Sequence, residues 1–142
     1  MSFQCKKLEE SATVPKKSYK FDAGFDLYTN FKETNFFLKP GKKYIFSTGI
    51  SVAIPEGWYG RIAPRSGFAM KGIDVLGGVV DCSYRGEIKI ILINHGEIPV
   101  EFKKNDRIAQ LILEKCGGWE LEEVKELGET KRGESGFGST GN

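Results

Sequence analysis

From Tyr44 to Phe102 the apolar positions come in short runs, "YIFSTGISVAIP", "WYGRIAP", "GEIKIILIN" and "IPVEF", broken by "PEG" and "NHGE" and followed by "KKND". β-Branched and aromatic residues fill the runs while Gly, Pro, Asn and Asp fill the breaks, the pattern of strands joined by turns. In "EIKIILIN" Ile88, Ile90 and Leu92 share one face and Ile91 and Ile93 the other, which predicts a strand covered on both sides, as between two packed sheets. "RIAQLILEK" reads two ways, because Ile108, Leu111 and Ile112 keep a helical spacing while the composition also suits a strand. Its surroundings favour strand. Only "RSGFAMKG" has helix punctuation, with Ser66 as the predicted N-cap and Gly72 as the stop. The pattern therefore predicts an all-β sandwich with one short helix over residues 1–125, followed by a flexible glycine-rich arm, 126–142.

Composition narrows the function classes. A chain of 142 residues fits one domain, and no apolar run approaches the ~20 residues that a bilayer demands. The start "MSFQCKKLEE" lacks a secretory signal, so an intracellular protein, cytoplasmic or nuclear, is expected. Cys5, Cys82 and Cys116 have no CxxC spacing and only His95 could join them, which argues against a disulfide framework, a zinc site or an activated nucleophile at Cys82. A net charge of +2 with scattered lysines offers no stripe for a nucleic acid duplex. Neither nucleic acid nor membrane is an expected partner. The 18 glycines are nearly twice the about 7% of average proteins and are grouped, which marks backbone positions with a task.

Five stretches remain odd: "AGFDLY" (23–28), "PRSGFAMKG" (64–72), "GGVVDCSYRG" (77–86), "DRIAQLIL" (106–113) and the arm "RGESGFGSTGN" (132–142). Singly they have plain explanations. Asp26 and Asp81 are residues that hydrogen-bond turns, and Arg65 and Ser66 are a surface arginine and a helix cap. Pooled, they supply what a phosphate chain requires, namely backbone N–H groups, hydroxyls and guanidinium forks. Arg65, Ser66 and Gly67 open the predicted helix, where N–H groups meet anions.

In order and spacing, the five stretches together resemble the five motifs of the homotrimeric all-β dUTPases, over nearly the whole chain. The resemblance implies a jelly-roll-like β-sandwich of the β-clip type, a homotrimer, and active sites built from all three subunits. It implies hydrolysis of dUTP to dUMP and pyrophosphate, which keeps uracil out of DNA and supplies dUMP for thymidylate synthesis. By the same resemblance Asp26 holds Mg²⁺ on the triphosphate through a water, and Arg65, Ser66 and Gly67 contact phosphates. Main-chain groups of a β-hairpin around Gly77, Gly78, Val79 and Val80 read uracil, Asp81 is the general base that activates water, and Tyr84 packs on the deoxyribose and excludes a 2′-hydroxyl. Gln110 reaches the phosphates, with Arg107 and Asp106 in structural roles. In the arm, Arg132 neutralises the γ-phosphate, Phe137 stacks over uracil, and Gly138, Ser139 and Thr140 wrap the phosphates.

The departures are specific. Ser83 stands where the family commonly has a second acidic residue, and Ser135 where many relatives have glycine. The stretches 16–22, with Asp22 where a small residue is usual, and 29–39 carry no assigned function. Two further readings compete: a nucleotide-binding sensor or deaminase-like relative with lost or altered catalysis, and a plain β-sandwich interaction module. The retained Asp81, Tyr84, Arg132 and Phe137 argue against the first, and the sequence of the arm against the second.

Overall fold

The computed structural model describes residues 2–139 and Gly141. The four runs read as strand form five, because "YIFSTGISVAIP" breaks at Thr48-Gly49: β4 spans Lys43–Ser47, β5 Ile50–Ala53, β6 Trp58–Pro64, β9 Lys89–Asn94 and β10 Val100–Lys103. The ambiguous run is strand β11, Arg107–Lys115. Its helical spacing has a local cause: the register shifts by a bulge between Arg107 and Ala109, so Ile108 and Ala109 are adjacent and both fully buried. Strands β1, Gln4–Lys7, β2, Gly24–Tyr28, β3, Asn35–Leu38, β7, Ile73–Leu76, and β8, Val79–Val80, are too short or too polar to announce themselves.

Pairing is antiparallel throughout, in a four-stranded sheet ordered β2-β11-β6-β8, a three-stranded sheet β4-β9-β7, and the pairs β1-β5 and β10-β3. This is the all-β, jelly-roll-like sandwich that the sequence implies. Leu27, Phe46, Ile90, Leu92, Phe102, Ile108 and Leu111 fill its centre. Ile88, just before β9, and Ile90 and Leu92 on it are sealed inside, while Ile91 and Ile93 are only half-buried, so a single chain covers one face of that strand fully and the other in part.

The helix α1, Ser66–Ala69, is a single turn. Arg65, not Ser66, takes the N-cap position, with extended backbone and no side-chain capping bond. Ser66 is thereby the first helical residue, and one turn offers its opening N–H groups rather than a macrodipole. Phe68 stacks on Phe102 at 4.9 Å between centroids, which moors the helix to the core. Gly72, at φ +85°, ends the turn as predicted. The stretch 29–39 also gains an account: Phe36 on β3 stacks against Tyr44 at 4.1 Å and meets Phe46 edge-on at 5.6 Å, closing one end of the core. Beyond Lys115 the described residues carry no strand or helix and almost all are exposed, Trp119 at 92% among them. No helix among the described residues is long and apolar enough to cross a membrane.

Candidate active site

The predicted site residues divide into two clefts and the arm. The first cleft forms where the chain leaves β7 and enters β8. The sequence implied a β-hairpin here, but β7 pairs with β9 and β8 with β6, so Gly77 and Gly78 carry the chain from one sheet to the other. Both glycines have positive φ, +69° and +86°, where a side chain is strained. At Gly78 a Cβ would also lie 2.8 Å from the Ile62 carbonyl oxygen, which accepts no such approach because Ile62 N–H donates to the Gly78 carbonyl at 2.7 Å. Gly78, Val79, Val80, Asp81 and Tyr84 then line one cavity of about 240 Å³ with Ile62, Glu87, Ile88 and Ile91. The Tyr84 N–H donates to the Asp81 carbonyl at 3.1 Å, a turn that sets the carboxylate and the phenol ring on one rim. The Tyr84 hydroxyl donates to the Glu87 carbonyl at 2.9 Å.

The second cleft is polar and is lined by Asp26, Arg65, Ser66 and Gln110, with Ser18, Tyr19, Asp22 and Gly24. Strand register explains the grouping. Gln110 on β11 lies between Asp26 on β2 and Ala63 on β6, and α1 begins directly after β6. The Gln110 amide donates to the Pro64 carbonyl at 3.0 Å, and its side chain crosses Gly24, where a Cβ would overlap it. Asp26 is 8% exposed. Its carboxylate accepts from Arg65 Nε at 3.0 Å, from Arg107 Nη1 at 3.3 Å and from the Ser18 hydroxyl at 3.2 Å. Buried carboxylates require such partners. Gly67 sits in α1 beside this cleft.

Arg107 and Ser18 were not among the predicted site residues. Arg107, expected in a structural role, places the second guanidinium on Asp26 and also meets the Ser18 hydroxyl at 3.3 Å. Only the β2-β11 pairing brings it there. Asp106 has the supporting role expected of it, accepting the Lys103 N–H at 2.7 Å in the turn before β11.

In the arm, Arg132 Nε donates to the Ser135 carbonyl at 2.9 Å, and Phe137 is fully exposed with positive φ. Gly138 and Ser139 lie in turns of the same segment, and Thr140 falls outside the described residues. Among the described residues, none of the arm lines either cleft of its own chain.

One charged cluster lies outside both clefts. Tyr59 donates its hydroxyl to Glu114 Oε2 and Arg61 donates Nε to Oε1 at 2.8 Å, across the β6-β11 pairing. The Tyr59 bond, then Arg61, holds the Glu114 carboxyl below the usual carboxylate range, and the same bond pushes the Tyr59 phenol up. Arg61 is paired with Val79, so this cluster lies next to β8.

A sequence model described as dUTPase matches residues 10–141. The chain belongs to the dUTPase family. It is 48% identical over 130 residues to the deoxyuridine 5'-triphosphate nucleotidohydrolase of Rabbitpox virus, with 92% of this chain and 86% of the relative covered. Its fold is shared by solved dUTPases. That of Staphylococcus bacteriophage 80alpha, a mutant with dUpNHpp, superposes with a TM-score of 0.89 at 28% identity over 99% of each chain. The dUTPase of phage phi11 of S. aureus, whose structure reveals the coordination of a structural Mg(II) ion, superposes at 0.78 with 26% identity, over 89% of this chain and 98% of that one.

A dUTPase metal can be tested against the residues present. No three His, Cys, Asp or Glu side chains gather among the described residues. Magnesium on substrate phosphates keeps several waters and asks for only one or two carboxylates. Asp26, with both oxygens already hydrogen-bonded, suits a contact through a water, so the residues fit a metal that arrives with the substrate.

Proposed function

We propose that this chain is a dUTP nucleotidohydrolase that releases dUMP and pyrophosphate. The observation that carries the reading is that Asp81, Tyr84 and the main chain of Gly78 to Val80 share one cleft in a chain that matches the dUTPase family over residues 10–141. Val79 and Val80 present backbone groups to the uracil edge, and the Tyr84 ring lies against the deoxyribose where a 2′-hydroxyl would collide. Asp81 accepts a proton from a water that attacks the α-phosphorus. The new P–O bond forms as the bond to the bridging oxygen breaks, and pyrophosphate carries away that electron pair. Mg²⁺ on the phosphates, near Asp26, supplies charge neutralisation when bound. Arg65, Ser66, Gly67 and Gln110 orient the phosphate chain.

The working unit we propose is a homotrimer. The residues proposed for base and sugar line one cleft and those proposed for the phosphates line another, so neither cleft of one chain carries the whole set. Facing the first cleft of one subunit with the second cleft of another completes the site. The arm of a third then closes it, with Arg132 on the γ-phosphate, Phe137 over uracil, and Gly138, Ser139 and Thr140 around the phosphates. The setting we propose is intracellular, cytoplasmic or nuclear, where dUTP competes with dTTP for DNA synthesis.

Product analysis on a panel of nucleoside triphosphates with Mg²⁺ tests the reading. dUMP and pyrophosphate are expected from dUTP, with UTP and dTTP nearly untouched. Tight dUTP binding without pyrophosphate release would overturn it in favour of a sensor.

A further inference from the structure

Residues 81–87 form a loop whose hydrogen bonds are mostly its own. Tyr84 bonds Asp81 and Glu87 through main-chain oxygens, and Arg85 Nη1 donates to the carbonyls of Cys82 at 2.6 Å and Tyr84 at 3.0 Å. Gly86 lets the phenol lie over it, since a Cβ there would overlap the Tyr84 ring and hydroxyl. These bonds shape the loop, while Cys82, half-buried against the core, holds the end of it next to Asp81.

Among the described residues, the hydrogen bond that leaves the loop is made by the Glu87 side chain. Its Oε1 accepts the Gly49 N–H at 2.9 Å, and its Oε2 faces Lys89 Nζ at 3.9 Å. The carboxylate is 23% exposed and lines the same cleft as Asp81 and Tyr84. Gly49 is a firm anchor. It sits at φ +68° in the turn between β4 and β5, and a Cβ there would lie 2.7 Å from Asn30 Nδ2 and 2.9 Å from Ala12 Cβ. Directly after Glu87, the Ile88 N–H donates to the Ile50 carbonyl at 2.8 Å and the Thr48 hydroxyl to the Ile88 carbonyl at 2.5 Å. Glu87 therefore stands at the joint between the fixed sandwich and the Tyr84 end of the loop, opposite the Cys82 end that packs on the core.

We propose that Glu87 is a positioning residue for sugar selection: its bond to the Gly49 N–H sets the height at which the Tyr84 ring walls the ribose subsite. The inference rests on the reading of Tyr84 as the group that excludes the 2′-hydroxyl. A charge-assisted hydrogen bond is strong and directional enough for the task, and a steric wall discriminates only while it is held within a fraction of an ångström.

The test is kcat and KM for dUTP and UTP in the intact protein and in E87A, E87Q and Y84A, with thermal melting of each. In E87A the preference for dUTP, as the ratio of kcat/KM values, is expected to fall about tenfold, chiefly by a gain on UTP, given what small misplacements cost at a site. E87Q, which keeps an oxygen for the Gly49 N–H, holds the preference within about threefold on the same grounds. An unchanged preference in E87A, or equal loss on both nucleotides, overturns the proposal, as does a collapse of preference in E87Q. E87D, with its carboxylate withdrawn by one methylene, replaces E87A should the latter not fold, and the same fall is expected. Retained preference in Y84A would instead overturn the reading of Tyr84, whichever way Glu87 behaves.

Discussion

At the scale of residues, the two aspartates of the candidate site are held in opposite ways. Asp26 is buried and bonded by Arg65, Arg107 and Ser18, whereas Asp81 is exposed on a rim. The three donors fix the Asp26 carboxylate in place, whereas the Asp81 carboxylate stands open to a water molecule. Asp81→Asn is accordingly expected to bind dUTP but turn it over at least ~100-fold more slowly, as loss of a general base usually does. Single-turnover kinetics with equilibrium binding measures both. Glu114 makes a prediction about pH. Its folded-state pKa lies below the ordinary carboxylate value because of Tyr59 and Arg61, so its stabilising contribution is present above that ordinary value and is lost as pH falls through the folded one. The melting temperature of the parent protein should drop over that acidic window, and Glu114→Gln should flatten the drop. Tyr59 works at the other end: its raised pKa keeps its contribution below the ordinary phenol value and removes it as pH rises through the folded one.

At the scale of elements, the sequence was legible where one strand carried its own signal. The run "WYGRIAP" is β6 residue for residue, and Gly72 closes the turn that follows α1. β2 was not legible, because "AGFDLY" places a charged residue inside a strand, and only the partners on β11 and at Ser18 make that tolerable. The role of Arg107 was hidden for the same reason, since register is a property of pairs of strands. The switch between sheets at Gly77 and Gly78 was hidden too, because two glycines between apolar runs ordinarily mean a hairpin. Gly78→Ala tests how much depends on that switch. With φ at +86° and the Ile62 carbonyl 2.8 Å from a new Cβ, a loss of about 1–3 kcal/mol is expected, together with a raised KM for dUTP. Denaturant unfolding and steady-state kinetics read the two effects.

At the scale of the whole molecule, the division of the site into two clefts and an arm is what the single chain could not reveal as sequence. Motifs announce residue types, and five motifs in one chain imply one site. The folded chain instead separates Asp81 and Tyr84 from Asp26, Arg65, Ser66 and Gln110. The arm's glycines and its turns at Thr130 to Gly133 and Gly136 to Ser139 leave Phe137 exposed. A single exposed apolar side chain is ordinary on a surface, but in the closure proposed above Phe137 is the group that covers the base. Deleting residues 132–142 should therefore leave a trimer in sedimentation while turnover collapses. Full activity in the truncated protein would return the arm to the status of a passive tail.

The position of β8 has one more consequence. It is the last strand of its sheet, in the order β2-β11-β6-β8, and only β6 lies beside it. In the function proposed above, a pyrimidine reaching Val79 and Val80 meets a strand with one side still unmatched. Uracil presents carbonyl, N–H and carbonyl in a row, the same alternation that a further strand would bring. The base would then be read as a missing rung of the ladder, and base choice would be insulated from drift in the side chains around it.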